Sequence, residues 1–390
     1  MNTQASSQKA MLPVLSGFFI MGFVDVTGIA TNYVKQDFSL TDSQANLLPM
    51  MAFIWFAVFS IPTGLLMGRI GRRNTVVLSF ILTIIAMCIP LAYYHFTAIF
   101  MAFSLLGIGN TMLQVSLNPM AAAIVPSGRI ASILTLGQFL KAVSSFLGPL
   151  LAGMAAILWN DWKWIFAIYA LTTLLTMGWL SATVRETPRP GKTHATFRTT
   201  CALFKDRYIR MLFLGILLIV GIDVGLNTTI PKLLIEKTGM PLEKAGLGTS
   251  LYFSARTVGT FVGALILSRT ATDRFLRYSM ILAAGALVSV MLMGNTPWGI
   301  SVMIVMIGLT CANVFSILLS YALQHLPERD NEISALMIMG VSGGALVTPL
   351  MGILSDMAGQ TASLSLLLLC VIYLGAIPLK TCRKISSYNK

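Results

Sequence analysis

The stretch Gly64-Leu65-Leu66-Met67-Gly68-Arg69-Ile70-Gly71-Arg72-Arg73 decides the fold. It carries three glycines and three arginines and stands between two long apolar runs, at about 46–67 and 75–95. Each run matches the roughly 20 residues that an α-helix needs to cross the hydrocarbon core of a bilayer. A basic gap this short between two such runs reads as a tight turn at a membrane face, and its arginines mark the cytoplasmic side.

The same pattern continues in both directions. Apolar runs fall at about 10–33, 46–67, 75–95, 98–122, 132–157 and 164–184, then at about 209–231, 245–268, 276–294, 298–320, 332–355 and 362–380. They are long and continuous rather than alternating, which selects helices over barrel strands. Of the 390 residues, 56% are hydrophobic and only 11% charged, against about a quarter charged in soluble domains. The expected fold is therefore an all-α membrane protein with twelve transmembrane helices. The expected division is an N-terminal six-helix bundle over 1–184, a cytoplasmic linker over 185–208 and a C-terminal six-helix bundle over 209–390.

The net charge of +13 does not indicate nucleic acid, because nearly all of it lies in short gaps between apolar runs. With both termini inside, twenty Lys and Arg residues fall on the cytoplasmic side, against Lys35, Lys163, Lys232, Lys237 and Lys244 outside. That bias sets the orientation. The five cysteines show no CxxC or Cys/His spacing, so neither metal nor disulfide is expected. Three histidines, His95, His194 and His325, lie near helix ends or in the linker, with no nucleophile constellation around them. An enzyme is not expected. Trp159, Trp162 and Trp164 cluster at a helix end and read as interfacial anchors.

The two halves echo each other. Gly22-Phe-Val-Asp25-Val in the first run parallels Gly221-Ile-Asp223-Val in the seventh, with the acids 198 positions apart. Gly148-Pro149-Leu-Leu parallels Thr348-Pro349-Leu-Met, with the prolines 200 positions apart. Tandem six-helix repeats suit alternating access about a midplane site.

Four charges lie deep in apolar runs: Asp25, Lys141, Asp223 and Arg256. A charge at mid-bilayer costs several kcal/mol, so such residues face the bundle interior, pair, or mark an ion path. Burial opposes the ionised form of a carboxyl group and a neighbouring cation favours it. Asp25 and Asp223 are thus the candidate proton-coupling residues. Lys141 either pairs with Asp25 or binds an anionic group on the substrate, and both alternatives stand. Amides donate and accept at once, so Asn110, Gln114, Asn118, Gln138, Asn227 and Asn313 are candidates for reading substrate hydroxyls, together with Arg256. Trp55, Tyr252 and Phe315 are candidate stacking faces. The competing reading is that polar side chains hold helices together and aromatics pack.

The 64–73 stretch resembles the loop signature of the major facilitator superfamily, with Gly68 where that signature carries an aspartate. The resemblance assigns Gly64, Arg69, Gly71, Arg72 and Arg73 to a gating loop. A finer resemblance, to the fucose/glucose/galactose–proton symporter family, rests on four stretches. They are Phe38-Ser-Leu40-Thr41-Asp42-Ser-Gln44-Ala, Gly109-Asn110-Thr-Met-Leu-Gln114-Val-Ser-Leu-Asn118-Pro119, Ala255-Arg256-Thr-Val-Gly259-Thr260, and Gly343-Gly344-Ala-Leu-Val-Thr348-Pro349 through Asp356-Met-Ala-Gly359. The family's fucose symporter has a coupling glutamate in the fourth helix, where Gln114 stands here, and an aspartate in its first helix, which carries Asp25. Other members have an acid in the seventh helix, where Asp223 stands.

The resemblance implies a monomeric secondary transporter in a bacterial inner membrane that imports a small sugar or sugar derivative by proton symport. It implies no cofactor and no partner beyond substrate and lipid. Sodium in place of the proton, an anionic sugar or organic anion as substrate, and a proton-coupled exporter are the alternatives.

Overall fold

The computed structural model describes residues 2–39, 42–184, 197–239, 242–292 and 296–388, and all of its regular structure is helical. Fifteen α-helices follow one another: α1 (Asn2–Met21), α2 (Val26–Asp37), α3 (Asp42–Ile70), α4 (Arg72–Ala92), α5 (Phe96–Ala123), α6 (Ile130–Trp159), α7 (Trp164–Thr183), α8 (Phe197–Ala202), α9 (Arg207–Thr238), α10 (Leu242–Leu267), α11 (Thr272–Leu292), α12 (Pro297–Cys311), α13 (Val314–His325), α14 (Asp330–Met339) and α15 (Gly343–Tyr388). Among the described residues, ten helical stretches are long and apolar enough to cross a membrane, and Met11–Asp25 is a shorter apolar helix. The eleventh apolar run of the sequence passes along α14 and the start of α15.

Local chemistry sets the helix ends. Asp206 caps α9, its Oδ1 accepting from the backbone N–H of Tyr208 at 2.7 Å and of Ile209 at 3.3 Å, which satisfies donors left open at a helix start. Gly71, at φ 85°, is the cap from which α4 departs, a backbone conformation that glycine alone adopts freely. α15 changes direction at Ala358 and Gly359. The first span is interrupted: a 3₁₀ turn over Gly22–Asp25 separates α1 from α2, and a tightened turn inside a helix often marks a functional break.

The chain divides into two compact units. One comprises Met1–Phe204 together with Leu323–Met339, the other Lys205–Ala322 together with Gly340–Lys390. The first break falls inside the linker expected at 185–208, of which residues 185–196 lie outside the described structure. The tandem division of the sequence does not foresee that Leu323–Met339, from the second half of the chain, packs with the first unit.

Each unit repeats the packing of the other. In the first, a Cβ on Gly107 of α5 would collide with the Ala52 carbonyl of α3. In the second, a Cβ on Gly308 of α12 would lie 2.7 Å from the Tyr252 carbonyl oxygen of α10. Gly17 faces Leu117 and Gly215 faces Leu318, with Cβ-to-methyl approaches of 2.9 and 2.8 Å. Missing side chains let backbones approach at the same steps of both repeats, the usual way membrane helices pack.

Candidate functional site

In the first unit, Asp25 ends the 3₁₀ turn and is half-buried against α6. Its Oδ2 accepts a hydrogen bond from the Ser145 hydroxyl at 2.5 Å, and that hydroxyl also donates to the Lys141 carbonyl one turn back, at 2.9 Å. The close approach depends on Gly22, whose absent Cβ would lie 2.6 Å from the same Lys141 carbonyl oxygen. Phe23, two residues before Asp25, stacks on Tyr169 of α7 at 3.7 Å between centroids. The Lys141 ammonium forms no ion pair or hydrogen bond among the described residues, so in this structure it does not pair with Asp25. Gln138, three residues earlier on α6, is likewise half-buried, and its amide makes no hydrogen bond among the described residues.

The three amides of α5 form a buried ladder. Asn110 donates from Nδ2 to the Met21 carbonyl at 2.7 Å, Gln114 donates from Nε2 to Asn110 Oδ1 at 2.8 Å, and Asn118 donates from Nδ2 to the Gln114 carbonyl at 2.6 Å. Among the described residues, Asn118 Oδ1 is buried with no partner. The Asn110 bond reaches the last residue of α1, where the chain leaves α-helical geometry and frees carbonyls. Much of this ladder therefore serves helix joining; the unpaired Asn118 oxygen is the acceptor left over. Trp55 of α3 meets the edge of Phe59 at 5.4 Å, and its indole N–H is buried without a partner among the described residues.

In the second unit, Asp223 of α9 is 7% exposed. Its Oδ2 lies 2.7 Å from the Arg256 guanidinium of α10, and its Oδ1 accepts the hydroxyl of the fully buried Tyr252 at 2.6 Å. Tyr252 and Arg256 stand one helical turn apart, so one face of α10 presents both donors to one carboxylate. Tyr252 therefore serves as a hydrogen-bond donor here, a use that its aromatic face does not announce. Asn313, at the break between α12 and α13, donates from Nδ2 to the Gly259 carbonyl at 3.0 Å, while its Oδ1 is buried and has no partner among the described residues. Phe315 is buried at 8% exposure. The side chain of Asn227 lies outside the described residues.

The basic loop is held within the first unit. Arg72 is ion-paired with Asp330, donates from Nε to Asn331 Oδ1 at 2.8 Å and from Nη1 to the Pro119 carbonyl at 3.2 Å. Arg73 donates to the Ser181 carbonyl at 2.6 Å. Arg69 is exposed, and a Cβ on Gly68 would meet nothing within 4 Å. Gly64 lets Ala335 of α14 approach, and Ser334 of α14 donates to the Val115 carbonyl of α5 at 2.7 Å. Arg329 holds Glu332 at 2.7 Å and donates to the Thr199 carbonyl at 2.8 Å; the hydrogen bond to Glu332 raises its already high pKa further. Sequence reasoning missed Asp330. The available signal was an acid just past the tenth span, in Pro327-Glu328-Arg329-Asp330, opposite in sign to the loop.

At the far end of the first unit, Asp37 of α2 accepts the Tyr94 hydroxyl at 2.5 Å and the Trp162 indole N–H at 3.2 Å. Trp162 stacks on Tyr33 at 4.8 Å and is 6% exposed. It is thus not the interfacial anchor expected of it, because its indole N–H finds a carboxylate inside the protein. Trp159 and Trp164, about half exposed, keep the outward position that an anchor needs. Burial and the bond to Asp37 push the Tyr94 phenol above its ordinary range. The second unit has a counterpart: Glu236 of α9 accepts the backbone N–H of Gln360 at 3.0 Å.

The family model described as Major Facilitator Superfamily matches residues 14–349. The chain is 24% identical over 402 residues to a glucose/galactose transporter of Brucella abortus, covering 96% of this chain and 95% of that protein. It is 24% identical over 405 residues to a putative glucose/galactose transporter of Helicobacter pylori, covering 97% and 98%. It is 23% identical over 379 residues to the L-fucose-proton symporter of Escherichia coli, covering 85% and 83%. Among solved structures, that of the E. coli fucose:proton symporter FucP superimposes with a TM-score of 0.81 at 18% identity, covering 94% of this chain and 97% of FucP. The proton:xylose symporter XylE gives 0.71 at 15%, covering 96% of each chain. At these identities the structural likeness establishes the fold.

Proposed function

The chain belongs to the Major Facilitator Superfamily, and we propose that within it the protein imports a small sugar or sugar derivative by proton symport, through alternating access. Like its relatives it is a transporter and not an enzyme. The observation that carries the coupling half of this reading is the pair of membrane-embedded carboxylates, Asp25 and Asp223. Each stands on the first span of its unit at a repeat-related position, held by hydroxyl or guanidinium groups. An acid in a spanning helix is costly unless it serves an ion path or a pair. The sugar half is supported by the names of the relatives and by buried amides with unused acceptors, Asn118 and Asn313.

In this reading the proton binds at Asp25 or Asp223, and no cofactor takes part. Arg72 and Asp330 form the latch that the transport cycle opens and closes. The protein acts as a monomer in a bacterial inner membrane, with both termini cytoplasmic.

Uptake of labelled glucose, galactose and fucose into cells carrying the protein, with and without an uncoupler, tests the proposal. Accumulation abolished by the uncoupler, and by Asp223→Asn, is expected. Accumulation that follows a sodium gradient instead would reassign the coupling ion, and extrusion of substrate would move the exporter reading ahead.

A further inference from the structure

Three side chains of α6 share one face: Gln138, Lys141 and Ser145 stand three and four residues apart, the spacing that brings helical neighbours together. Ser145 is occupied with Asp25. Gln138 and Lys141 are half-buried and make no side-chain hydrogen bond or ion pair among the described residues. Lys141 lies eleven residues into α6, about 16 Å along its axis at 1.5 Å per residue. That depth is beyond the snorkelling of a lysine side chain to the interface. An embedded cation needs a counter-charge, and the nearby acid spends its hydrogen bond on a serine.

We propose that the Gln138–Lys141 face of α6 binds the carboxylate of an acidic sugar, a uronate, with Asp25 carrying the coupled proton. The inference rests on the sugar–proton symport reading and names its substrate class. Charge balance makes the case. In the empty site Asp25 is negative and Lys141 positive, and the sum is zero. In the loaded site Asp25 is protonated, Lys141 is positive and the uronate is negative, and the sum is again zero. Substrate without proton leaves a net negative charge, and proton without substrate a net positive one. Both half-loaded states bury uncompensated charge, which is expensive in a low-dielectric interior. That penalty enforces coupling and makes the full cycle electroneutral. Other groups around Asp25 fit this scheme: Tyr169, which stacks on Phe23, is neutral in both states, and Ser145 serves either form of the acid, donating to the carboxylate or accepting from the carboxyl.

The test uses purified protein in proteoliposomes with an imposed inward proton gradient and the membrane potential clamped by potassium and valinomycin. The probes are labelled D-glucuronate and D-galactose. Glucuronate is expected to accumulate, with the same initial rate whether the clamped potential is zero or inside-negative. Lys141→Met is expected to lower glucuronate uptake by about thirtyfold or more, as for loss of one buried charge partner, while Lys141→Arg retains most of it. Thermal protection of the wild-type protein by glucuronate, absent in Lys141→Met, reads binding independently of transport. Accumulation of galactose without glucuronate would overturn this inference and leave sugar symport standing. Full glucuronate uptake by a folded Lys141→Met protein, or uptake driven by potential, would also overturn it. If neither sugar accumulates, the symport reading fails and this inference fails with it.

Discussion

The Asp223 carboxylate meets the Arg256 guanidinium at 2.7 Å and takes the Tyr252 hydroxyl at 2.6 Å on its other oxygen. Both donors come from one face of α10, so the carboxylate joins α9 to α10 at two points. Removing one partner of a buried pair leaves the other charge uncompensated, at a cost of about 3–5 kcal/mol, whereas removing both is close to neutral. Arg256→Met is therefore expected to lower thermal stability in detergent strongly. The double change Arg256→Met with Asp223→Asn is expected to recover most of that stability while remaining inactive in uptake. A double variant as unstable as the single one would show that Arg256 acts through other contacts.

Arg72 contacts Asp330, Asn331 and the Pro119 carbonyl. The forked guanidinium serves them together, and a lysine ammonium is a single point charge. Arg72→Lys is expected to reduce uptake by about tenfold, equivalent to about 1.4 kcal/mol. Asp330→Asn is expected to do the same, and the combination to cost little more than either alone. Independent, multiplying losses in the combined variant would argue against a shared latch.

What the sequence displays and what it hides follow from dimension. Apolar length and basic gaps are one-dimensional signals, and they carry the helical membrane fold and the repeat. A charge inside an apolar run is equally visible, so Asp25, Lys141, Asp223 and Arg256 stand out in the sequence. Partner choice is three-dimensional. Nothing in the spacing shows that Asp223 takes Arg256 and Tyr252 while Asp25 takes Ser145 rather than Lys141. Ser145 and Tyr252 are ordinary residues for a spanning helix, which hides them. Asp330 hides for another reason: it lies 258 positions from Arg72, and Leu323–Met339 leaves the unit that its place in the chain suggests. Trp162 shows the same limit, since a tryptophan near a helix end reads alike whether it meets headgroups or a carboxylate.

Tyr94 hydrogen-bonds to Asp37 outside the spanning segments, and its pKa is raised above the ordinary value of about 10 by burial and by that bond. A raised folded-state pKa contributes stability that is fully present below the unfolded value and is lost as pH rises above it. The melting temperature is therefore expected to hold from neutral pH to about 10 and to fall beyond it. Tyr94→Phe is expected to cost about 0.5–1.5 kcal/mol near neutrality, the net range for an intramolecular hydrogen bond, and to flatten the alkaline decline. An unchanged alkaline slope in Tyr94→Phe would place its origin in another group.

Gly308 and Gly153 make a matched pair for testing close packing. A Cβ on Gly308 would lie 2.7 Å from the Tyr252 carbonyl oxygen, and one on Gly153 would meet nothing within 4 Å. Gly308→Ala is expected to lose about 1–3 kcal/mol through overpacking, and Gly153→Ala to stay within about 0.5 kcal/mol of wild type. Equal effects, read from detergent melting curves, would contradict the packing.

The proposed symport moves sugar and proton inward together, and external pH reads both. Vesicles carrying the protein are suspended in weak buffer without a gradient, and external pH is recorded as galactose, fucose or glucuronate is added. Alkalinisation of the medium is expected on addition of a transported sugar, abolished in Asp25→Asn. Labelled sugar entering with no change in external pH, or with acidification, would contradict it.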